Sequence, residues 1–398
     1  MHSRWMVALL LALATALNYL DRQNLPVAIV AIQRDIAISD RAYSVLQMLF
    51  LGAYGVMYAG GGFIVDRLGT RAGYALMIAW WSVANGLHGA ANSLWTLGLC
   101  RIGLGLGEGG GFPASAKAVA EWFPRAERSF AFGIFNTGSS VGAVIAPPLV
   151  AYLATAFHWR WVFVLTGLAG LVWAAIWLWF YTPGPETAES RTSVRWASLF
   201  GYREVRVLVS AKLVTDAAWF FFVFWLPKYL AEARGLDLKQ IGAFAWIPYA
   251  AAGVGSFAGG WLGAALIRRG WSVSGSRHLT LGLSAACLPA ALGVAAAPLP
   301  FAIVFMSLAF LGHQFWSTII QTLPTDLFPS THVGSVAGLL GAAGSFGGML
   351  FSWVVGEWLS AGHGYGQLFL IAGLMHPLSF VLIRATIPQV KPVRIEVR

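Results

Sequence analysis

Four charged residues lie within long apolar stretches of this sequence, where charges are otherwise rare. Asp21 and Arg22 are adjacent and follow the almost wholly apolar run 5–20. Arg101 and Glu108 are seven residues apart in another apolar stretch, so two turns of helix place them on the same side. A charge held at the centre of a bilayer costs roughly 2.5–3.5 kcal/mol, and such residues usually mark an ion or substrate pathway.

The same four residues predict a site in which protons control the binding of an anion. With both acids ionised their charges sum to zero, and with both protonated the sum is +2. Protonation of Asp21 and Glu108 would free the arginines, and an arginine binds a carboxylate through two parallel hydrogen bonds. Proton and organic anion would then bind cooperatively, as symport requires. The alternative is a structural ion-pair cluster, although buried ion pairs are poor stabilisers.

The elements that hold these residues are predicted to be transmembrane helices. The chain has 398 residues, of which 58% are apolar and 11% charged, and its mean hydropathy is +0.69. These values are typical of an integral membrane protein, in which each transmembrane helix needs about 20 largely apolar residues. Twelve spans are predicted, at 5–32, 42–65, 72–91, 93–121, 128–157, 159–182, 204–234, 238–268, 276–297, 299–325, 332–360 and 364–387.

The longest polar break divides these spans six and six. The sequence therefore predicts an N-terminal half at 1–182, a central cytoplasmic loop at 183–203 and a C-terminal half at 204–398. A shift of 205 residues places the Phe-Pro pair at 123–124 on a second Phe-Pro pair at 328–329. This match indicates that the two halves are repeats of one six-helix unit.

The distribution of positive charge predicts the orientation in the lipid bilayer. Of the 26 Lys and Arg residues, sixteen lie on the side that carries both termini, six on the other side and four within spans. The positive-inside rule therefore places both termini in the cytoplasm, in a multi-pass protein of the cytoplasmic membrane. Because no loop exceeds about twenty residues, neither an enzyme nor a nucleic-acid-binding protein is expected, despite a net charge of +10. A monomer is expected, with no metal and no cofactor apart from coupling protons.

Four stretches resemble the anion:cation symporter family of the major facilitators, and the resemblance extends along essentially the whole chain. They are NYLDRQNLPVA at 18–28 and the segments 107–150, 224–249 and 322–341. Within that family the motifs most resemble those of bacterial hexuronate transporters. The resemblance implies an all-α membrane protein with the major-facilitator fold, whose twelve transmembrane helices form two six-helix halves around a midplane site.

The resemblance also implies roles for individual residues. Asp21 and Glu108 would be the protonatable acids, and Arg22 would pair with Glu108 in some states. Arg22 or Arg101 would engage the carboxylate of the substrate. Further substrate contacts are implied for three residues: Tyr19, Tyr54 and Asn136.

The end of the second span, GGGFIVDRLGTRAG at 60–73, resembles the major-facilitator signature at the cytoplasmic end of helix two. Asp66, Arg67 and Arg71 are predicted to form a cytoplasmic gate, because an acid and two bases can latch neighbouring helix ends in one conformation. Lys117, in the fourth span, is expected to snorkel towards the membrane surface or to pair with Glu121.

The second half departs from the family pattern at two positions. Family members usually carry acids where this chain has Gly253 and Ala264, so the latch in this half is expected to be weaker or absent. Lys212 and Asp216, four residues apart on the seventh span, are expected to pair. Two histidines are expected to be packed residues without a partner: His313 and His376.

Polar residues on the tenth span are candidates for contacts with substrate hydroxyl groups. Gln314, Ser317 and Gln321 share one helix face, and either substrate contact or hydrogen bonding between helices explains them. Trp219 and Trp225 on the seventh span could serve as platforms for a sugar ring, although packing or lipid contact is the favoured interpretation.

Together these features predict a proton-coupled secondary transporter that imports a sugar acid, first of all a hexuronate, by alternating access. Three alternatives stay open on the sequence. The substrate could be another organic anion such as an aldonate, an aldarate or an aromatic acid. The protein could exchange anions without coupling to protons, or it could be a membrane receptor that senses an anion without transporting it.

Overall fold

A computed structural model of the chain describes residues 4–182, 184 and 196–393. Within these residues the chain is helical and contains no β-strand. The α-helices are α1 (Arg4–Ile32), α2 (Asp40–Leu87), α3 (Leu94–Glu108), α4 (Gly111–Trp122), α5 (Arg125–Ala156), α6 (Trp159–Phe180), α7 (Trp196–Leu199), α8 (Arg203–Glu232), α9 (Leu238–Phe244), α10 (Trp246–Arg268), α11 (Val273–Cys287), α12 (Leu299–Leu327), α13 (Ser330–Ser360) and α14 (Gly366–Thr386).

These helices account for the twelve predicted spans, although several of those spans do not each correspond to one separate straight helix. The second and third spans are both contained in α2, which breaks at Gly69, where φ is +76°. Glycine adopts this left-handed conformation without strain. The fourth span consists of α3 and α4, and the eighth consists of α9 and α10. Among the described residues, nine helical stretches are long and apolar enough to cross a membrane on their own.

The helix that carries Arg101 and Glu108 begins at a strong capping signal. The Ser93 side chain accepts a hydrogen bond from the Thr96 backbone amide, and the Thr96 side chain bonds back to the Ser93 backbone. This reciprocal arrangement satisfies amides that a helix start leaves free. It fixes where α3 begins.

Contacts divide the chain into two compact units. The first unit comprises Met1–Glu189, Val223–Trp246 and Ser352–His363, and the second comprises Ser190–Phe222, Ile247–Phe351 and Gly364–Arg398. The first unit thus combines the first six spans with the ends of α8 and α13 and with α9. The predicted division into halves at 182 and 204 is a division along the sequence, and it stays a prediction. Most of the predicted central loop, 183 and 185–195, lies outside the described residues.

Glycines bring helices of the first unit into close contact. A Cβ atom on Gly142 of α5 would overlap the carbonyl oxygen of Ala16 on α1. A Cβ on Gly105 of α3 would likewise overlap the carbonyl oxygen of Phe50 on α2. Small residues allow transmembrane helices to pack backbone against backbone. This packing holds α1 and α3, which carry the four charged residues, directly against α5 and α2.

Gly142→Leu is expected to destabilise the first unit, because the added side chain would force α1 and α5 apart. Overpacking of this kind typically costs about 1–3 kcal/mol. We expect a lower thermal unfolding midpoint in detergent, measured by intrinsic tryptophan fluorescence. Gly133→Leu on the same helix is the matched control, since nothing lies within 4 Å of a Cβ built there. Equal midpoints for the two variants would contradict the close packing of α1 on α5.

The second unit has its own apolar core, formed by α8, α11, α12, α13 and α14. Leu208, Leu281, Trp316, Ile320 and Leu340 are all at most 2% exposed. Two polar contacts accompany this core. The predicted pair on α8 is present, with 2.8 Å between Lys212 Nζ and Asp216 Oδ2. The histidines have a partner in each other, 3.0 Å apart between His313 Nδ1 and His376 Nε2, so the expectation that they lack one is wrong.

Candidate functional site

The first unit contains a buried ion pair between α1 and α3. Arg22 Nη2 and Nε donate to the same oxygen, Oε2 of Glu108, at 3.0 and 3.1 Å. Arg22 is 5% exposed and Glu108 only 2%. The second carboxylate oxygen, Oε1, makes no hydrogen bond within the described residues. The pair that the family resemblance implies is therefore present, and it occupies two donors of a single guanidinium.

Aromatic rings surround the Arg22 guanidinium. Its Cζ lies 4.7 Å from the ring centre of Tyr54, 4.8 Å from that of Tyr19 and 5.6 Å from that of Phe50. Asn18 adds a side-chain oxygen, which accepts from Nη2 at 3.1 Å. Aromatic faces attract a cation and restrict the plane of a guanidinium. Tyr19 and Tyr54 thus hold Arg22 in a fixed orientation, while the substrate contacts that the resemblance implies for them stay predictions.

Arg101 is fully buried but does not pair with Glu108. Its Nη2 donates to Gln47 Oε1 at 2.7 Å, and its Cζ lies 4.3 Å from the ring centre of Phe50. Within the described residues Nη1 makes no hydrogen bond, and no carboxylate lies within ion-pair distance. The sequence prediction that the acids hold both arginines is therefore wrong for Arg101. An amide oxygen of α2 takes the place of the carboxylate.

Asp21 lies apart from both arginines, in a pocket of amide and hydroxyl groups. Asn85 Nδ2 donates to its Oδ1 at 2.8 Å, and Asn24 Nδ2 does so at 3.4 Å. Both amides also contact Thr166 Oγ1, at 2.7 and 2.8 Å. Asp21 is fully buried, and its Oδ2 has no hydrogen-bond partner within the described residues. Adjacent residues on a helix point about 100° apart, so Asp21 faces α2 and α6 while Arg22 faces α3.

Sequence reasoning missed the polar side chains that complete these surroundings. Asn24 is three residues from Asp21, a spacing that places both on one helix face. Asn85, Thr166 and Gln47 are uncharged polar residues within largely apolar spans. An uncharged polar residue in a span is more often glue between helices than part of a site. The sequence alone therefore could not distinguish these three residues from the other uncharged polar residues of the spans.

Among the described residues of the first unit, no contact brings Asn136 to Arg22, and the other predicted substrate contacts lie in the second unit. Asn136 is an exposed residue of α5, and its backbone oxygen accepts from the Ser139 hydroxyl at 2.6 Å. Gln314, Ser317 and Gln321 belong to the second unit, where Gln321 Nε2 donates to Ser317 Oγ at 2.9 Å. Their proposed contacts with substrate stay predictions.

Both tryptophans considered as ring platforms are buried and packed on other rings. Trp219 stacks on His313 in the second unit, with 4.6 Å between ring centres. Trp225 meets Tyr43 edge to face in the first unit, at 4.9 Å. Packing, the favoured interpretation, describes both.

The predicted cytoplasmic gate contains an ion pair that joins α2 to α4. Asp66 Oδ1 lies 2.8 Å from Lys117 Nζ. The expectation that Lys117 snorkels or pairs with Glu121 is wrong. Glu121 instead accepts hydrogen bonds from Thr70 Oγ1 at 2.5 Å and from the Tyr181 hydroxyl at 2.6 Å. Spacing along one helix did not indicate that the part of α2 around Asp66 packs against α4.

The two gate arginines differ in their surroundings. Arg67 is exposed, whereas Arg71 donates to the backbone oxygen of Leu178 on α6, at 3.1 Å from Nε. The second unit carries an ion pair of its own despite the alanine at position 264, since Arg277 Nε lies 2.7 Å from Asp326 Oδ2. This pair joins α11 to α12 and does not involve α10, where the latch was expected to be weaker or absent, so that expectation stays a prediction.

The family profile of the Major Facilitator Superfamily matches residues 11–352. The chain belongs to this superfamily. The hexuronate transporter of Escherichia coli (strain K12) is 32% identical, over 98% of this chain and 95% of that protein. The D-galactonate transporter of Escherichia coli O6:H1 (strain CFT073) is 28% identical, over 97% of each. A crystal structure of a bacterial homologue of the human lysosomal transporter Spinster, in an inward-facing and occupied conformation, has a TM-score of 0.74 at 18% identity, over 97% of this chain and 96% of that one.

These similarities confirm the fold and the general class of this major facilitator. It is an all-α membrane protein with twelve transmembrane helices in two six-helix halves. It is a multi-pass transport protein rather than an enzyme. The resemblance to sugar-acid transporters, seen first in the motifs around Asp21 and Glu108, is confirmed over nearly the whole chain.

Proposed function

We propose that this transporter imports a sugar acid with one carboxylate, first of all a hexuronate, together with protons. The observation that supports it is the buried pair of Arg22 and Glu108, in which a carboxylate of the protein occupies the donors that a substrate carboxylate would need. The relatives named for hexuronate and D-galactonate support the substrate class. The excess of Lys and Arg residues on the side of the termini supports a protein of the cytoplasmic membrane with both termini in the cytoplasm.

Competition between Glu108 and the substrate carboxylate for Arg22 couples the binding of protons to the binding of substrate. While Glu108 is ionised, its Oε2 accepts from Nε and Nη2 of Arg22, and a substrate anion finds these donors occupied. A proton on Glu108 removes the negative charge, so Arg22 can turn its donors towards an external carboxylate. Proton and anion then each raise the affinity for the other by the same factor. Release of the proton to the cytoplasm restores the internal pair and expels the substrate.

Asp21 and Arg101 have separate parts in this proposal. Asp21 lacks a cationic partner among the described residues, so it can bind a proton without releasing an arginine. One proton per monoanion gives electroneutral uptake, and a second proton on Asp21 gives electrogenic uptake. Arg101 keeps a positive charge beside Phe50, the ring that Arg22 also contacts. That charge favours an anion near Arg22.

Uptake by reconstituted protein tests the proposal. Liposomes containing the purified transporter would be given an inward pH gradient and labelled glucuronate or galacturonate. We expect accumulation against the substrate gradient, inhibited by excess hexuronate more than by aldonates, aldarates or aromatic acids. Equal transport with and without the gradient would identify an exchanger or facilitator. Binding to the purified protein without flux would identify a receptor.

Alternating access also requires contacts that close one side of the protein and break when it opens. In the first unit, Lys228 at the end of α8 is 1% exposed and lies 2.6 Å from Asp40 Oδ1 at the start of α2. It also pairs with Glu232. Beside it, the Tyr43 hydroxyl donates to the backbone oxygen of Phe224 at 2.5 Å. These contacts join the two predicted halves at the membrane face opposite the N-terminus.

Lys228→Met is expected to favour opening on that face, because it removes the buried cation that pairs with both Asp40 and Glu232. The reporter is Ser44→Cys, at a site 1% exposed, in a Cys100→Ser, Cys287→Ser background. We expect a membrane-impermeant maleimide to label it several-fold faster in the Lys228→Met variant. Arg41→Met is the control, because its ion pair with Glu357 is solvent-exposed and worth little. Equal labelling in all three proteins would argue against a closing contact.

A further inference from the structure

An apolar groove runs along the first unit between α5 and the segment formed by α9 and the start of α10. Its volume is about 690 Å³. Six of the residues that line it show its character: Val144, Ile145, Leu149, Tyr152, Ala243 and Trp246. The floor is closed by contact between the helices, since a Cβ on Gly242 would lie 2.6 Å from the Ala151 Cβ. The groove is thus a feature of the packed unit, open on one side.

One end of the groove continues into a polar pocket. This pocket has a volume of about 310 Å³, shares Thr155 and Lys239 with the groove, and extends to Arg34 beyond the end of α1. Arg34 and Lys239 are exposed, and neither forms an ion pair with a carboxylate of the described residues. The pocket also contains Asp237, whose Oδ1 accepts from the Gln240 backbone amide at 2.8 Å. The end of the groove therefore carries one net positive charge.

The dimensions of the groove match one leaflet of a bilayer. Residues 144 to 155 extend about 16 Å along α5, at roughly 1.5 Å per residue. Half of a hydrocarbon core that is about 30 Å thick measures about 15 Å. The charged end lies where α1 and α5 end, at Ile32 and Ala156, which is the level of the lipid headgroups on the side opposite the N-terminus.

We propose that this groove binds one anionic phospholipid, with an acyl chain along α5 and the phosphate between Arg34 and Lys239. The apolar stretch excludes water and matches the chain, while the two cations match the negative headgroup. A zwitterionic headgroup would bring its own cation to Arg34 and Lys239 and would bind less well. A free inorganic anion would leave the apolar stretch unfilled. The site is separate from Arg22 and Glu108, and it does not depend on the proposed substrate.

Native mass spectrometry of the detergent-purified, delipidated protein tests this site directly. The probes are phosphatidylglycerol and phosphatidylcholine with identical acyl chains. We expect the parent to bind phosphatidylglycerol more tightly, and the Arg34→Gln, Lys239→Gln double variant to lose roughly 25-fold in that affinity, since each basic residue near an anionic lipid is worth about fivefold. Arg268→Gln, Arg269→Gln is the charge-matched control, with two exposed cations removed at the other end of α10.

A second variant tests the apolar part independently of charge. Ala243→Trp fills the groove at an exposed position and leaves both cations in place. We expect weaker phosphatidylglycerol binding than in the parent. Equal affinity of the parent for the two lipids, or parental binding by the Arg34, Lys239 double variant, would overturn the proposal. If inorganic phosphate competes with phosphatidylglycerol for the parent and weakens binding as much as the variants do, Arg34 and Lys239 would be assigned to a free anion instead.

Discussion

Glu108→Gln is expected to abolish accumulation driven by a pH gradient while substrate exchange between the two sides continues. Glutamine has the shape of a protonated glutamic acid, so the variant resembles a transporter with the proton permanently bound. Its amide oxygen is a weaker acceptor for Arg22 than a carboxylate oxygen, because the hydrogen bond loses its charge. Arg22 would thus be available to the substrate at every pH, and the proton would no longer decide when the anion is released.

Two measurements on the same proteoliposomes separate coupling from binding. Gradient-driven uptake of labelled hexuronate should fall to the level of gradient-free vesicles, and counterflow of labelled against unlabelled substrate should stay within a few-fold of the parent. Substrate affinity should also become independent of pH across the neutral range. Glu121→Gln is the matched control, since that carboxylate bonds to Thr70 and Tyr181 and pairs with no arginine among the described side chains. Preserved accumulation by the Glu108→Gln protein would remove this residue from the coupling mechanism.

The fold was largely predictable because a bilayer imposes long apolar helices on the sequence. What the apolar pattern did not predict is where a helix continues through a polar segment. The second and third spans, predicted as separate helices, are indeed separated by the non-helical residue Gly69, but the first of the two helices continues past Asp66 and Arg67 up to that glycine. A left-handed glycine changes the direction of the chain without an interruption in composition.

The candidate site was predictable for its charged members and not for their partners. A charge in an apolar span is conspicuous, so Asp21, Arg22, Arg101 and Glu108 were all identified. The neighbour that each one bonds depends on how helices from distant parts of the sequence pack together. Gln47 is 54 residues from Arg101, and Asn85 is 64 residues from Asp21. No helical periodicity connects such positions, and only the packed structure brings them together.

These corrections narrow the coupling mechanism that we propose to a single ion pair. If four charges formed one cluster, each proton could release either arginine. In the structure Asp21 bonds to amides and Arg101 bonds to Gln47, which leaves Arg22 and Glu108 as the one pair of the four that a single proton can separate. A substitution of Arg22 therefore tests the proposed coupling more directly than a substitution of Arg101.

Arg22→Lys is expected to reduce substrate affinity by roughly 10- to 100-fold, although the positive charge is retained. A hydrogen bond to a charged group is worth about 1.5–3 kcal/mol, and lysine cannot offer two parallel donors to one carboxylate. Lysine also has no planar group to lie between the rings of Tyr19 and Tyr54, so its ammonium is less well oriented. Equilibrium binding of a labelled hexuronate to purified protein measures this loss without involving transport.

Arg101→Lys provides the comparison, because Arg101 is equally buried and also lies over Phe50 but donates to an amide oxygen. We expect it to lose less affinity than Arg22→Lys. A larger loss for Arg101→Lys would mean that Arg101 holds the carboxylate and that Arg22 acts only as the partner of Glu108. Coupling would then require the proton to act on Arg101 through Phe50, which both guanidinium groups contact, and not through competition for shared donors. The two lysine variants thus distinguish direct competition from an indirect effect.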